Sequence, residues 1–135
     1  LVAFIMRKKR FNLSRIDDIL NKESGLKGIS GISNDMRKLL LSAERGVKRA
    51  KLAIDIFIYR IKKYIGAYML IMSGCDILVF TGGIGENQPG VRKKICQGIF
   101  SALKKKPRVL VIPTDGELMI ARQTYQLVKG GKNIR

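Results

Sequence analysis

The segment TGGIGEN, residues 81–87, is the part of the sequence best suited to bind a ligand. Its three glycines permit positive φ angles and a close approach of the backbone to a phosphate or a nucleotide. Glu86 and Asn87 can hydrogen-bond ribose hydroxyls, base edges or the first amides of a helix. The segment is not a Walker A loop, because no Gly-Lys-Ser/Thr follows, and Gly83-x-Gly85 is by itself a weak dinucleotide signal. The pattern leaves two interpretations open: a nucleotide loop, or a tight turn with Asn87 as the helix N-cap.

Two apolar runs of strand length must position this segment. Residues 76–81 (DILVFT) and 108–112 (RVLVI) are typical of strands buried on both faces of a parallel sheet. A right-handed crossover would pair them and would set TGGIGEN at the carboxyl edge of the sheet, where α/β proteins bind ligands. Two strands make a poor sheet, so we expect neighbouring strands and covering helices to come from missing chain or from a partner.

Helices are predicted after each of these strands. Pro89 fits the first turn of a helix that continues to about Ala102. The sequence TDGE, residues 114–117, matches an S/T-x-x-E capping box. It predicts a last helix that ends near Gly130 and Gly131.

The first half of the chain is predicted to be mainly helical. After a helix end at the N-terminus, Ser14 opens a second short helix that runs to about Asn21. The glycine- and serine-rich residues 23–35 should form a loop that packs against another element. Apolar residues at steps of three and four then indicate one long amphipathic helix over residues 42–73, ended by Gly74.

Charge is the most pronounced feature of the composition. The 135 residues include 27 Lys and Arg against 10 Asp and Glu, which gives a net charge of +17. This balance favours attraction to polyanions, although solvated helix faces are the simpler explanation. The chain has no His and only two cysteines, Cys75 and Cys96, so a structural zinc site and a His-based catalytic relay lack their residues. No apolar run reaches the roughly 18 to 20 residues that span a membrane, and reduced thiols are typical of a cytoplasmic protein.

The segment LVFTGGIGENQPGVR resembles the nucleotide-loop signature of acetate kinases. Further blocks of that family, in the same order, resemble LNKESGLKGISGISNDMR, AIDIFIYRIKKYIGAY and VIPTDGELMIARQT. The resemblance implies an α/β fold: a partial ribonuclease H-like domain of the actin-like and sugar-kinase-like superfamily, with parallel strands and long covering helices. It also implies phosphoryl transfer between ATP and acetate, which gives ADP and acetyl phosphate.

The resemblance assigns two segments of the chain to one adenosine pocket. Asp35, Met36 and Arg37 correspond to residues that line the pocket, and Gly83, Ile84, Gly85, Glu86 and Asn87 correspond to its second nucleotide loop. A guanidinium such as that of Arg37 can stack on a base or pair with an acid, although a surface salt bridge at that position is equally ordinary.

The chain departs from the family in three respects. It resembles only the C-terminal part, without the acyl-site arginines, the catalytic His and the phosphate-contacting loops, so no catalytic residue is expected in it. The family has a longer connection between Phe100 and Val109. The family's magnesium carboxylate falls on Gly116, and the remaining metal candidate, Glu117, is also explained by the capping box.

We therefore expect residues 1–135 to be one C-terminal nucleotide-binding domain, truncated at its N-terminus and shortened near residues 101–108. Such a chain would bind ATP or ADP, would lack the family's carboxylate for Mg²⁺, and would be inactive alone. Its partners would be the nucleotide and either the missing N-terminal half or a second subunit, and no membrane. The alternative is a degenerate, non-catalytic basic module that binds nucleic acid or another polyanion, although no RNA-binding motif or aromatic platform supports it. A third alternative is that the isolated chain does not fold stably.

Overall fold

The computed structural model describes residues 1–101, 103 and 105–130. In that part of the chain the elements are α1 (Val2–Lys9), α2 (Leu13–Asp18), a π-helical turn (Ile19–Glu23), α3 (Gly25–Ser30), α4 (Met36–Glu44), α5 (Lys48–Ile71), β1 (Ile77–Phe80), α6 (Gly82–Asn87), α7 (Pro89–Cys96), β2 (Arg108–Val111) and α8 (Gly116–Gly130). The predicted α/β class, with parallel strands and a long covering helix, is confirmed.

The two predicted strands pair in parallel, with a register that runs from Ile77 opposite Arg108 to Phe80 opposite Val111. Hydrogen bonds continue the ladder at both ends, because the amide of Arg108 donates to the carbonyl of Asp76 and the amide of Ile112 donates to that of Phe80. The carboxyl ends of both strands therefore lie at one edge of the sheet, which is the edge where α6 begins.

The strands are less buried than their composition predicts. Phe80 packs into the core, but the side chains of Ile77, Val79, Val109 and Val111 are between 42% and 50% exposed. Burial on both faces is therefore not achieved within the described residues. The physical reason is that the sheet has two strands and the helices cover only part of it.

The core lies between α4, α5, α7 and the end of β1, with α3 against its margin. Its buried members are Met36, Leu39, Ala50, Ala53, Ile54, Ile58, Phe80, Val91 and Ile95. Small residues such as Ala50 and Ala53 let the neighbouring helices approach α5 closely. Most buried residues of α5 lie in its first half; Met69 is the exception, and the nearby Tyr68 and Met72 are 60% and 58% exposed.

The predicted single helix over residues 42–73 is in fact two helices. Helix α4 ends at Glu44 and α5 begins at Lys48, because Gly46 takes a φ of +83° that no helix accommodates. The predicted stop at the other end is confirmed. Gly74 has a φ of +119°, and its amide donates to the carbonyl of Met69.

Two expectations for the N-terminal segment need correction. The cap of α2 is Asn12 rather than Ser14, because its Oδ1 accepts from the amide of Arg15 at 2.8 Å. Residues 23–35 are not all loop, since they contain α3, which ends where Gly31 adopts a φ of +70°. The expectation that this segment packs against another element is confirmed, because Leu26 and Ile29 lie against the core.

Two helix ends after the first strand also differ from expectation. Pro89 opens α7 as predicted, but the helix ends at Cys96, because Gln97 is extended and Gly98 has a φ of +81°. The predicted end at Ala102 lies outside the described residues. The prediction of a capping box at residues 114–117 is wrong, because Asp115 caps α8: its Oδ1 accepts from the amide of Leu118 at 2.9 Å. Helix α8 reaches Gly130, and the residues after it lie outside the described part.

The molecule has far more surface than its mass requires. Its accessible area is 10,938 Å², whereas a compact monomer of this mass exposes about 7,100 Å². Helix α8 contributes to the difference, since Ile120, Leu127 and Val128 are between 67% and 77% exposed. A search of the helices in the described residues finds no segment with the length and apolar character to cross a bilayer.

Candidate functional site

The glycine-rich segment forms a short helix, α6, at the carboxyl end of β1. Thr81 is extended, and Gly82 then takes a φ of +73°, which turns the chain sharply into the helix and explains why glycine stands there. The alternative of a tight turn with Asn87 as the N-cap is therefore wrong, because Gln88 precedes α7. Asn87 is the last residue of α6, and its Nδ2 donates to the carbonyl oxygen of Gly83 at 3.0 Å.

The carboxylate of Glu86 joins the start of α6 to the segment that follows β2 through hydrogen bonds. Its Oε1 accepts from the amide of Gly82 at 2.8 Å, from the amide of Thr114 at 2.7 Å and from the hydroxyl of Thr114 at 2.6 Å. These bonds hold the pKa of Glu86 below its usual value, and the Thr114 hydroxyl contributes most. The glycine segment is therefore tied to both strands of the sheet.

A second set of hydrogen bonds, from Arg92, restrains the other end of α6. The Nη1 of Arg92, from the first turn of α7, donates to the carbonyl oxygens of Gly85 and Glu86, both at 2.8 Å. The last carbonyls of a helix have no partner within it, so the guanidinium satisfies acceptors that would otherwise need water. Helix α6 is therefore restrained at its start and at its end.

The second predicted segment of the site begins α4. Asp35 is the N-cap of this helix, because its Oδ1 accepts from the amide of Arg37 at 2.9 Å. The Arg37 side chain returns to the same carboxylate, with Nη2 donating to Oδ2 at 2.8 Å and Nε donating to Oδ1 at 3.2 Å. The Arg37 guanidinium lowers the pKa of Asp35 to about 2. The side chain of Arg37 is still 75% exposed, so the guanidinium is held in place and remains accessible.

The two predicted segments meet around one cavity of about 400 Å³. It is lined by Asn34, Asp35, Met36, Arg37, Gly83, Ile84, Asn87 and Gln88. Met36 also belongs to the core, where it is 3% exposed, so the cavity wall at this point is continuous with the packed interior. The volume lies within the range of about 300 to 1,000 Å³ that small-molecule sites occupy.

Two residues of the predicted set do not line this cavity. The Glu86 carboxylate is engaged with Thr114 and Gly82, and Gly85 packs under Phe80, where an added Cβ would lie 3.4 Å from the Phe80 carbonyl carbon. Sequence reasoning missed Asn34 and Gln88. Their only signal was that each adjoins a predicted residue and carries a carboxamide, which can donate and accept a hydrogen bond.

Gly83 has no structural reason to be glycine. Its φ is not positive, and a Cβ added to it would meet no atom within 4 Å. A side chain at this position would instead occupy space at the cavity wall. Gly90, in α7, has the same properties but does not line the cavity, so it is a natural comparison for experiments.

The start of α8 offers one carboxylate, that of Glu117, to a magnesium ion. Glu117 lies in the first turn of α8, and it is exposed. Gly116 offers no side chain. Across the described part of the chain there is no group of three or more His, Cys, Asp or Glu residues that could hold a metal. Mg²⁺ is usually bound by one or two carboxylates together with waters and phosphate oxygens, so at this position most of its ligands would have to come from water and the nucleotide.

Comparison with known proteins gives a consistent result. The sequence profile of the acetokinase family matches residues 1–104. The chain is 44% identical to the acetate kinase of Heliobacterium modesticaldum over 96% of its own length, and 44% identical to that of Bacteroides thetaiotaomicron over 95%. In both cases it spans 37% of the length of the curated relative.

Solved structures agree with the sequence comparison. The crystal structure of Porphyromonas gingivalis acetate kinase matches with a TM-score of 0.78 and 36% identity, over 94% of this chain and 37% of that one. A propionate kinase from Francisella tularensis matches with a TM-score of 0.77 and 38% identity, over 90% of this chain and 36% of that one.

Proposed function

Because this chain belongs to the acetokinase family, we propose that it provides the adenosine-binding wall of a phosphotransferase that uses ATP and acetate. The observation that carries the proposal is the cavity between the start of α4 and helix α6. Two segments far apart in sequence, each expected from the family resemblance to bind the nucleotide, line the same space. This convergence is what a nucleotide site requires.

The lining residues suit an adenine nucleoside. Arg37 presents an accessible guanidinium that two hydrogen bonds to Asp35 hold in place, and such a plane stacks well on a purine ring. The carboxamides of Asn34, Asn87 and Gln88 can pair with base edges or ribose hydroxyls. Glu86 takes part by holding α6 in position, because its carboxylate is already engaged.

The chain alone would not transfer a phosphoryl group. That reaction depends on a nucleophile positioned in line and on neutralisation of the phosphate charges. The relatives are about 2.7-fold longer than this chain, and the family resemblance places the acyl-site arginines and the catalytic His in the part that this chain does not match. We propose that the rest of such a protein, or a second subunit, supplies the acyl site and the phosphate contacts. Any Mg²⁺ would arrive with the nucleotide. A cytoplasmic location belongs to the same proposal, and no comparison supports the nucleic-acid alternative.

The sharpest test is a pair of glycine substitutions. Gly83→Ala adds a methyl group at the cavity wall, and Gly90→Ala adds the same group on α7 outside it. We expect Gly83→Ala to weaken ADP binding about tenfold, a change of about 1.4 kcal/mol, with no loss of stability. Gly90→Ala should bind ADP as the unchanged chain does. Isothermal titration calorimetry with ADP, together with a thermal melt of each sample, measures both quantities.

Two results would contradict the proposal. One is equal ADP affinity in the two variants, and the other is the absence of ADP binding at millimolar concentration in a sample that melts cooperatively. Activity is tested separately with a chimera, in which this chain replaces the matching segment of the Heliobacterium modesticaldum enzyme. We expect the chimera to bind ADP and to form acetyl phosphate from ATP and acetate, and the isolated chain to form none. A folded chimera without ADP binding would refute the proposed role of the chain.

A further inference from the structure

Thr114 lies at the centre of a hydrogen-bond cluster that connects the two strand ends. Its hydroxyl is 2.6 Å from Glu86 Oε1, 2.8 Å from the amide nitrogen of Gly82 and 2.9 Å from the hydroxyl of Thr81. Its own amide donates to the same Glu86 oxygen at 2.7 Å. One side chain that follows β2 therefore touches three residues that follow β1 or form α6.

The chemistry of the groups fixes the direction of each bond. A threonine hydroxyl has one hydrogen, and an ionised carboxylate can only accept, so Thr114 must donate its hydrogen to Glu86. Its oxygen then accepts from the amide of Gly82 and from the hydroxyl of Thr81. The Thr114 hydroxyl is thus fully used, with one hydrogen donated and two accepted.

This cluster restrains the residue at which the glycine segment turns. Gly82 has a φ of +73° and no side chain, so its backbone can reach many conformations when its amide is free. That amide donates to Glu86 Oε1 and to Thr114 Oγ1. Thr114 therefore supplies one acceptor itself and holds the other, Glu86 Oε1, in place through its amide. The next residue, Gly83, lines the cavity.

We infer that Thr114 is a positioning residue for the nucleotide site and that it acts through Glu86 and Gly82 without touching the nucleotide. This inference rests on the proposed function. Thr114 does not line the cavity and is one residue from the N-cap of α8. Its role in the site therefore also ties the orientation of the last helix to the nucleotide segment.

The test replaces the hydroxyl while keeping the shape of the side chain. Thr114→Val removes the donor, Thr114→Ser keeps it, and Thr124→Val makes the same exchange at an exposed position of α8. We expect Thr114→Val to weaken ADP binding about tenfold, because Gly82 and the start of α6 are then no longer held in the conformation that lines the cavity. Thr114→Ser should stay within about twofold of the unchanged chain, and Thr124→Val should not differ from it.

A second measurement reports on the cluster without any nucleotide. NMR titration of the Glu86 carboxyl carbon gives its pKa, which the Thr114 hydroxyl lowers. We expect the titration midpoint to rise in Thr114→Val and to return in Thr114→Ser, while the backbone bond from Thr114 remains. A midpoint that does not move in Thr114→Val would show that the hydroxyl does not bond the Glu86 carboxylate, and it would overturn the inference.

The two measurements separate the inference from the function on which it rests. Absence of ADP binding in the unchanged chain overturns the proposed function. Unchanged ADP affinity in Thr114→Val, when the Glu86 midpoint has moved, overturns the inference and leaves the proposed function standing. If Thr114→Val does not fold, Thr114→Ala provides the test, because it removes the same hydroxyl and leaves a smaller side chain. ADP affinity equal to that of the unchanged chain would then refute the inference.

Discussion

Two regions of the molecule contain similar apolar residues but differ in how far these residues are buried. One is the helical region of α3, α4, α5 and α7, and the other is formed by β2 and α8. In the first, Leu39 is completely buried and Val91 is 2% exposed. In the second, Ile120 is 67% exposed and Leu127 is 77% exposed. Both regions carry apolar patterns that predict burial, so the pattern does not explain the difference. What differs is whether an opposing surface is present.

The size of the uncovered surface shows what kind of opposing surface is involved. The molecule exposes about 3,800 Å² more than a compact monomer of its mass. A standard protein interface buries only about 800 Å² on each partner. The surplus is several times the area of one such interface, and this chain spans 37% of the length of its relatives.

The largest expected effect contrasts one buried leucine with one exposed leucine. Leu39→Ala should lower the free energy of unfolding by about 2 to 5 kcal/mol, because it leaves a cavity in the only packed core of the described residues. Leu127→Ala, on α8, should change it by less than about 0.5 kcal/mol. Urea denaturation followed by circular dichroism measures both. Similar losses in the two variants would mean that α8 is packed and that the contrast between the regions is wrong.

A smaller effect contrasts two glycines at helix ends. Gly46 has a φ of +83°, so Gly46→Ala should destabilise the helical region by about 1 kcal/mol or more through backbone strain. Gly116 begins α8 without a positive φ, and a Cβ there meets no atom within 4 Å. Gly116→Ala should be neutral or slightly stabilising, within about 0.5 kcal/mol. Equal destabilisation in paired thermal melts would show that the two helix starts are equally constrained.

The smallest effect compares a half-buried carboxylate, that of Asp35, with the exposed carboxylate of Asp76. Arg37 lowers the pKa of Asp35 to about 2, so this carboxylate stabilises the folded chain above the ordinary aspartate pKa, near 3.9, and loses that contribution as the pH falls towards 2. Asp35→Asn keeps an N-cap and removes the charge. Its melting temperature should fall slightly at pH 7, and the deficit should shrink as the medium becomes acidic. Asp76→Asn should show no measurable change at pH 7, since Asp76 and Lys105 are 83% and 80% exposed. A deficit for Asp35→Asn that grows in acid would contradict the assignment.

The predictable part of the fold rested on strong local signals. The two strands, their parallel pairing and the role of Pro89 followed from apolar runs and from the fixed φ of proline. The meeting of Asp35–Arg37 with the glycine segment could not come from periodicity, because no local pattern links residues so distant. It was available only through the family resemblance, and the cavity between the two segments agrees with it.

The failed predictions have different physical causes, which are a tertiary partner at Thr114, a left-handed glycine at Gly46 and missing layers over the strands. Thr114 had the sequence context of a capping residue, but its hydroxyl bonds to Glu86 and the cap passes to Asp115. The long helix was interrupted because the left-handed conformation of Gly46 outweighs the apolar periodicity around it. The strands satisfied the composition of a buried sheet, but this chain alone does not provide the layers that would bury them.

The uncovered apolar faces also have a colloidal consequence. Chains with such faces attract one another at short range, and the net charge of +17 opposes that attraction at longer range. Salt shortens the reach of this repulsion to about 8 to 10 Å at physiological ionic strength and leaves the apolar attraction intact. Isolated chains should therefore stay dispersed in dilute buffer and self-associate as salt is added, so ionic strength determines whether a single copy can be studied.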